Sequence, residues 1–288
     1  MTQNFMNSYI NTSNTCNTNI FLDLLENNDV NKPNTKYIFL VFGLLLSFHF
    51  IGFILMSMSN MALSWIYGVK LFHKNGKDYF LASMLFDFER FLDTSSLYGF
   101  FYICYDIVNN DDPKKYKENK LLNFINNFYY CYRIKEGKYN LNPIFPSLIR
   151  TINKYDFPIE LFDKFFNSLK IELDTIVFND TDDLYDYIDC SGGIIGEIMV
   201  KILMKDTCQK PYKELGVALQ LSNMIRYIKK DLLAGRQYIP IDLCDKHYIN
   251  FREYNYNQIN KNNIKTILED LLIISDGHYK NVEDIIKY

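Results

Sequence analysis

Along 213–240, KELGVALQLSNMIRYIKKDLLAGRQYIP, four polar side chains recur at helical spacing: Gln220, Asn223, Tyr227 and Asp231 follow at steps of three, four and four. On an α-helix that spacing puts them on one face, while Leu215, Ala218, Leu219, Ile225, Ile228 and Leu232 trace an apolar stripe. Gly235 offers a C-cap, Arg236 stands just past the helix end, and Pro240 blocks continuation. Such a face either solvates one side of an amphipathic helix or presents its oxygen atoms to a ligand. Other candidates are poorer. Gly192, Gly193 and Gly196 are spaced as a small-residue contact that lets helices approach closely, and no strand precedes them as a nucleotide loop requires. His73, His247 and His278 lack a His or Cys partner at i+4, which argues against a zinc site.

The elements that must position these residues are helices. The 288 residues include only 12 Gly and 7 Pro, about half the usual share, and are 48% hydrophobic and 16% aromatic, with 23 Phe and 23 Tyr against one Trp. So few chain breakers in so apolar a chain exclude collagen-like, disordered and disulfide-scaffold classes. A net charge of −3 provides no basic footprint, so nucleic acid is not an expected partner. The six Cys stand far apart without a CxxC pair and read as reduced structural thiols. Residues 1–36 are rich in Asn and Thr and read as a disordered tail. Residues 37–58 form a hydrophobic segment, whose first twenty residues carry no acid, Lys or Arg and match the thickness of a bilayer core. A buried first helix is the competing reading, and His49 is a polar cost to a lipid-facing one; the uniform apolar surface favours a transmembrane anchor. Lys70, Lys74 and Lys77 after the span, against Lys32 and Lys36 before it, put the C-terminal part on the cytoplasmic side of a single-pass anchor. From 59 to 288 apolar residues recur every three or four positions, with polar breaks near 111–113, 137–146 and 178–182, which predicts one all-α domain.

The segment 213–240 resembles the second signature of the squalene and phytoene synthases, the head-to-head prenyltransferases, whose pattern is close to QLxNxxRDxxxDxxxGRxYxP. Gln220, Leu221, Asn223, Arg226, Asp231, Gly235, Arg236, Tyr238 and Pro240 match, and Tyr227 stands where the family has an Asp. Three further segments are similar to the family in the same order: 77–91 (KDYFLASMLFDFERF), 152–174 (INKYDFPIELFDKFFNSLKIELD) and 184–199 (LYDYIDCSGGIIGEIM). They put Lys77 on a diphosphate-contacting basic position and Tyr187 on the active-site tyrosine. The first acidic signature, YxxxRxxDDxxD, is represented by Tyr98, Tyr102, Tyr105, Asp106 and Asn109. The Arg and both metal-binding Asp are thus replaced by Tyr102, Tyr105 and Asn109, and only the middle Asp, Asp106, is kept.

The resemblance implies a helical isoprenoid-synthase-type bundle around a central apolar cavity walled by the surplus Phe. The implied reaction condenses two C15 or C20 prenyl diphosphates (farnesyl or geranylgeranyl diphosphate) head to head, with Mg²⁺ neutralising the leaving diphosphate. It assigns catalysis to Tyr187, substrate binding to Lys77, Gln220, Arg226 and Arg236, and metal binding to Asn223, Asp231 and Asp106; NADPH use is left open. The phenols of Tyr102, Tyr105 and Tyr227, with an ordinary pKa of about 10, are neutral and cannot replace carboxylates on Mg²⁺ at neutral pH. A competing expectation is therefore a catalytically degraded member, acting as a membrane-associated lipid-binding or assembly factor with a protein partner.

Overall fold

The computed structural model describes residues 43–44, 59–174, 177–204, 210–251 and 261–286. The expected tail at 1–36 and, apart from Gly43 and Leu44, the hydrophobic segment at 37–58 lie outside these residues. No helix among the described residues is long and apolar enough to cross a membrane. The helices are α1 (Asn60–Asn75), α2 (Lys77–Ser83), α3 (Phe88–Asn109), α4 (Lys114–Ile134), α5 (Phe145–Tyr155), α6 (Ile159–Leu173), α7 (Thr181–Ile188), α8 (Ile194–Met204), α9 (Lys210–Leu233), α10 (Ile241–Lys246) and α11 (Lys261–Ile286). A π-helical turn, Asp189–Gly193, joins α7 to α8. The one β pairing among the described residues is an isolated parallel bridge between Val177 and Gln237.

Local chemistry sets the helix starts. The carboxylate of Asp87 accepts the Arg90 N–H at 3.0 Å to open α3, and that of Asp180 accepts the Asp183 N–H at 2.9 Å to open α7. Pro113 is the N-cap of α4, so the polar break at 111–113 separates α3 from α4. The breaks at 137–146 and 178–182 fall between α4 and α5 and between α6 and α7.

Two features hold α3, on which part of the site is built. Toward its start Asp93 is fully buried, and its carboxylate accepts from Arg150 (3.2 Å), Thr151 (3.1 Å), Lys154 (2.6 Å) and Tyr155 (3.1 Å), all of α5. A buried carboxylate so partnered ties the two helices in a single register. Further along, Phe100 of α3 meets Phe128 of α4 at 5.4 Å and Phe162 of α6 at 5.9 Å between ring centroids, with Phe165 and Phe166 beside them. All five rings are buried, each worth about 1.5–3 kcal/mol in removed apolar surface. These five Phe pack on one another as a solid core and do not themselves wall a cavity, the place that the resemblance implied for the Phe surplus.

The π turn meets α9 at glycines. A methyl group on Gly216 would lie 2.3 Å from the carbonyl oxygen of Gly192, and one on Gly192 would lie 2.6 Å from Cβ of Gln220. The small-residue spacing thus does what the sequence suggests and brings the backbone of α9 against the turn that follows Tyr187. Gly216→Ala should therefore overpack this contact and cost about 1–3 kcal/mol, read as a lower urea midpoint with an unchanged slope. Gly277→Ala on α11, where nothing lies within 4 Å, should instead be neutral or stabilise by up to about 1 kcal/mol. Equal effects of the two would contradict the packing.

Candidate functional site

The C-terminus of α9 closes in a Schellman turn. The Arg236 N–H donates to the Asp231 carbonyl at 2.8 Å and the Gly235 N–H to the Leu232 carbonyl at 3.1 Å, with Gly235 at φ +75°. That turn folds Arg236 back over the end of its own helix. Its Nε and Nη2 donate to Asp231 Oδ1 at 3.2 and 2.8 Å, and Nη1 donates to Oδ1 of Asn109, the last residue of α3, at 2.9 Å. Asn109 Nδ2 in turn donates to Glu172 Oε2 at 3.1 Å, and Glu172 Oε1 accepts the Tyr187 hydroxyl at 2.5 Å. Side-chain bonds thus run from Asp231 through Arg236, Asn109 and Glu172 to Tyr187, joining α9, α3, α6 and α7. The ion pair is not a solvated surface contact, since only 22% of the Arg236 side chain and 15% of that of Asp231 are exposed.

Burial dominates the electrostatics. It lifts the Glu172 carboxyl above its ordinary pKa, opposed by the bonds from Tyr187 and Asn109 and by the nearby charge of Arg236. Burial and the Glu172 charge push Tyr187 well above the ordinary phenol value and raise Tyr238, whose ring lies 5.9 Å from that of Tyr187. Tyr105 is raised in the same way, and its hydroxyl is buried with no hydrogen-bond partner among the described residues. Three neutral phenols therefore surround one buried carboxyl.

A second group lies toward the surface. Tyr98 stacks on Phe72 at 4.2 Å and on Tyr102 at 6.5 Å, and burial pushes its pKa up to about 12. Tyr79 of α2 is raised by burial and lowered by Arg226 of α9, with Tyr227 and Tyr279 also within electrostatic reach. Lys77, at the start of α2, and Arg226 are both exposed.

Of the residues singled out in the sequence, the structure bonds Tyr187, Asp231 and Arg236 into one network. Gln220 lies half-buried against Gly192, and Asn223 is half-buried with no side-chain hydrogen bond among the described residues. Asp106 is exposed on α3 and accepts only a long 3.5 Å bond from Tyr102. Asn223 and Asp231 thus stand on α9 and Asp106 on α3, and no hydrogen bond among the described residues joins the three. Among the described residues no three His, Cys, Asp or Glu side chains are grouped to hold a metal. At the network Arg236 engages Asp231 Oδ1, Tyr187 and Asn109 engage Glu172, and the phenols are neutral, while Asp231 Oδ2 and the Asn223 carboxamide have no side-chain bond among the described residues and would be the oxygen donors for a divalent cation. The cavity that borders Asp231, Arg236 and Tyr238, walled by Leu221, Ile228 and Leu271, measures about 10 Å³, room for one water.

The model of the squalene/phytoene synthase family matches residues 72–288. The chain belongs to the squalene/phytoene synthase family. It is 27% identical to a phytoene synthase of Mycobacterium tuberculosis over 113 residues, 38% of this chain and 37% of that protein. It is 24% identical to the bifunctional lycopene cyclase/phytoene synthase of Phycomyces blakesleeanus over 210 residues, 65% of this chain and 34% of that protein. The matches thus span little more than a third of the length of these relatives. In fold it is similar to the crystal structure of a dehydrosqualene synthase in complex with ligand, with a TM-score of 0.65 at 18% identity, covering 78% of this chain and 77% of the other. It is also similar to a squalene synthase from Alicyclobacillus acidocaldarius, with a TM-score of 0.63 at 15% identity, covering 77% of this chain and 82% of that one. Synthases of this family are prenyl transferases that typically use a divalent metal.

Glu172 is the network residue that the sequence reading missed. A signal was there: Phe165, Leu169 and Glu172 recur at four and three, which continues the buried stripe of α6 with a carboxylate. In the folded chain its pKa stands above the ordinary 4.5, so folding favours the protonated form; that stability is fully present below pH 4.5 and is lost as pH rises through the folded pKa. Urea unfolding across pH should then show wild type losing stability relative to Glu172→Gln as pH rises above 4.5. A difference independent of pH would contradict the buried, proton-favouring environment.

Proposed function

We propose that this member binds prenyl diphosphates between α2, α3 and α9 and joins two of them, C15 or C20, head to head in isoprenoid biosynthesis. The bonding of Tyr187 from one signature segment and of Asp231 and Arg236 from another into one network with the end of α3 is the observation that most supports it. Lys77, Arg226 and Arg236 supply charge-assisted donors for the diphosphates and Gln220 a polar contact. The C1 of one allylic diphosphate bonds to the other to give a cyclopropylcarbinyl diphosphate, with departure of one diphosphate and one proton. Tyr187, neutral and packed between Phe178 and Tyr238, steadies the cationic intermediate or passes the proton. A membrane location, with the helical domain on the cytoplasmic side, is supported by the uncharged run at 37–56 and suits so apolar a substrate.

The second reading, a catalytically degraded lipid-binding or assembly factor, is favoured by two observations. The carboxylates expected on α3 are Tyr105 and Asn109, and the cavity beside Asp231 is far smaller than a prenyl chain.

Purified full-length protein given Mg²⁺ and labelled farnesyl or geranylgeranyl diphosphate should release diphosphate and form an apolar hydrocarbon, and Tyr187→Phe should lower the rate about 100-fold or more. Absence of turnover with retained binding of a prenyl diphosphate analogue would replace this reading by the second. Absence of both would contradict each.

A further inference from the structure

We infer that the outer face of α2, carrying Leu81 and Leu85, docks on an anionic lipid bilayer and orients the helical domain on the membrane. The sides of α2 differ in kind. Phe80 packs edge-on against Phe72 at 5.5 Å and Phe91 at 5.7 Å, and Ser83 and Met84 are buried, so one side is fixed to α1 and α3. The Leu85 N–H donates to the Ala82 carbonyl at 3.2 Å, which carries the helical turn past Ser83 and sets Leu85 four residues beyond Leu81 on a separate side. There Leu81 is 52% and Leu85 68% exposed, two large apolar side chains in water where a solvated helix face would be polar. Tyr79 stands on a third side, within electrostatic reach of Arg226 of α9.

Position in the chain and charge both select lipid as the occupant. The uncharged run 37–56 ends three residues before Ser59, the N-cap of α1. With that run held in lipid, the membrane location proposed above and the reading on which this inference rests, the start of α1 is tethered within about 10 Å of the bilayer. From there α1, 16 residues and about 24 Å long, leads to α2. Lys70 and Lys74, four apart on α1, are exposed, and neither forms an ion pair among the described residues. The nearby acids Asp87 and Glu89 are engaged by Arg90 and by Arg150 and Lys154, which leaves Asp78 as the acid of α2 without an ion pair among the described residues. Free lysines beside an apolar face suit phosphate headgroups over an acyl interior. Two leucines hold a membrane weakly by themselves. On a tethered domain the contact is intramolecular, so a weak one suffices to fix orientation. It sets α2 between the lipid, on the side of Leu81 and Leu85, and the proposed prenyl diphosphate site, on the side of Tyr79.

The full-length chain is reconstituted in vesicles of phosphatidylcholine and phosphatidylglycerol, with and without bromine on the acyl chains. Leu81→Trp and Leu85→Trp are read against wild type, which has one Trp, and against Leu122→Trp on α4, where the native leucine is 57% exposed. In vesicles the added indole at 81 or 85 should shift to shorter wavelength and lose about half of its emission to bromine, as a ring about 5–10 Å into the headgroup–acyl boundary does; the one at 122 should do neither. Adding Lys70→Glu and Lys74→Glu should lower the quenching at 85, as should high salt. An indole at 85 that stays in water while the chain floats with the vesicles would overturn the inference and leave the membrane location standing. A blue-shifted indole that bromine does not quench would show the face covered by protein, and quenching as strong at 122 would show no preferred face; either overturns it. A chain that does not float with the vesicles overturns the membrane location and this inference together.

Discussion

Arg236 is held from two helices at once. Its backbone N–H completes the Schellman turn on Asp231, its guanidinium returns to the carboxylate of that residue, and its remaining amino group crosses to Asn109 at the end of α3. From Asn109 the bonds continue to Glu172 and Tyr187, so the ends of four helices are set by donors and acceptors that satisfy one another. At its buried end, Glu172 and Tyr187, the penalty for an unpaired group is high, whereas Asn109 is exposed. The Phe core of α3, α4 and α6 and the buried Asp93 cluster fix α3, while the close approach of Gly192 and Gly216 sets α9 against the π turn behind Tyr187. The network is where these separately anchored helices meet.

Much of this was legible in the residues. The helical class followed from scarce Gly and Pro, the chain breaks from Pro113 and the polar runs, and the end of α9 from Gly235 and Pro240. The four polar side chains on one face of α9 predicted a face, but they do not act together: Asp231 alone enters the network, because only the helix end is reached by Arg236. The pairing of Arg236 with Asn109 lies beyond sequence patterns, since 127 residues separate them and their meeting depends on how α3 and α9 pack. Glu172 was hidden for a different reason. A lone acid in an apolar stripe reads as a flaw in the stripe until its partners, Tyr187 and Asn109, are seen to come from other helices.

The aromatic surplus divides by chemistry. Phe fills the solid core around Phe100, where rings meet at five to six ångströms and no polar group must be satisfied. Tyr gathers where α3 meets α6 and α9, at Tyr105, Tyr187 and Tyr238 around Glu172 and at Tyr79, Tyr98, Tyr102 and Tyr227 nearer the surface. Phenols there supply ring volume without adding negative charge.

The most direct test is calorimetric titration of the intact chain with farnesyl thiodiphosphate, a slowly reacting analogue, in EDTA and again in Mg²⁺. The account predicts saturable binding in Mg²⁺, and a loss of about tenfold or more in Arg236→Met from the missing charge-assisted bonds. No binding in either buffer, or an affinity unchanged in Arg236→Met, would contradict the account.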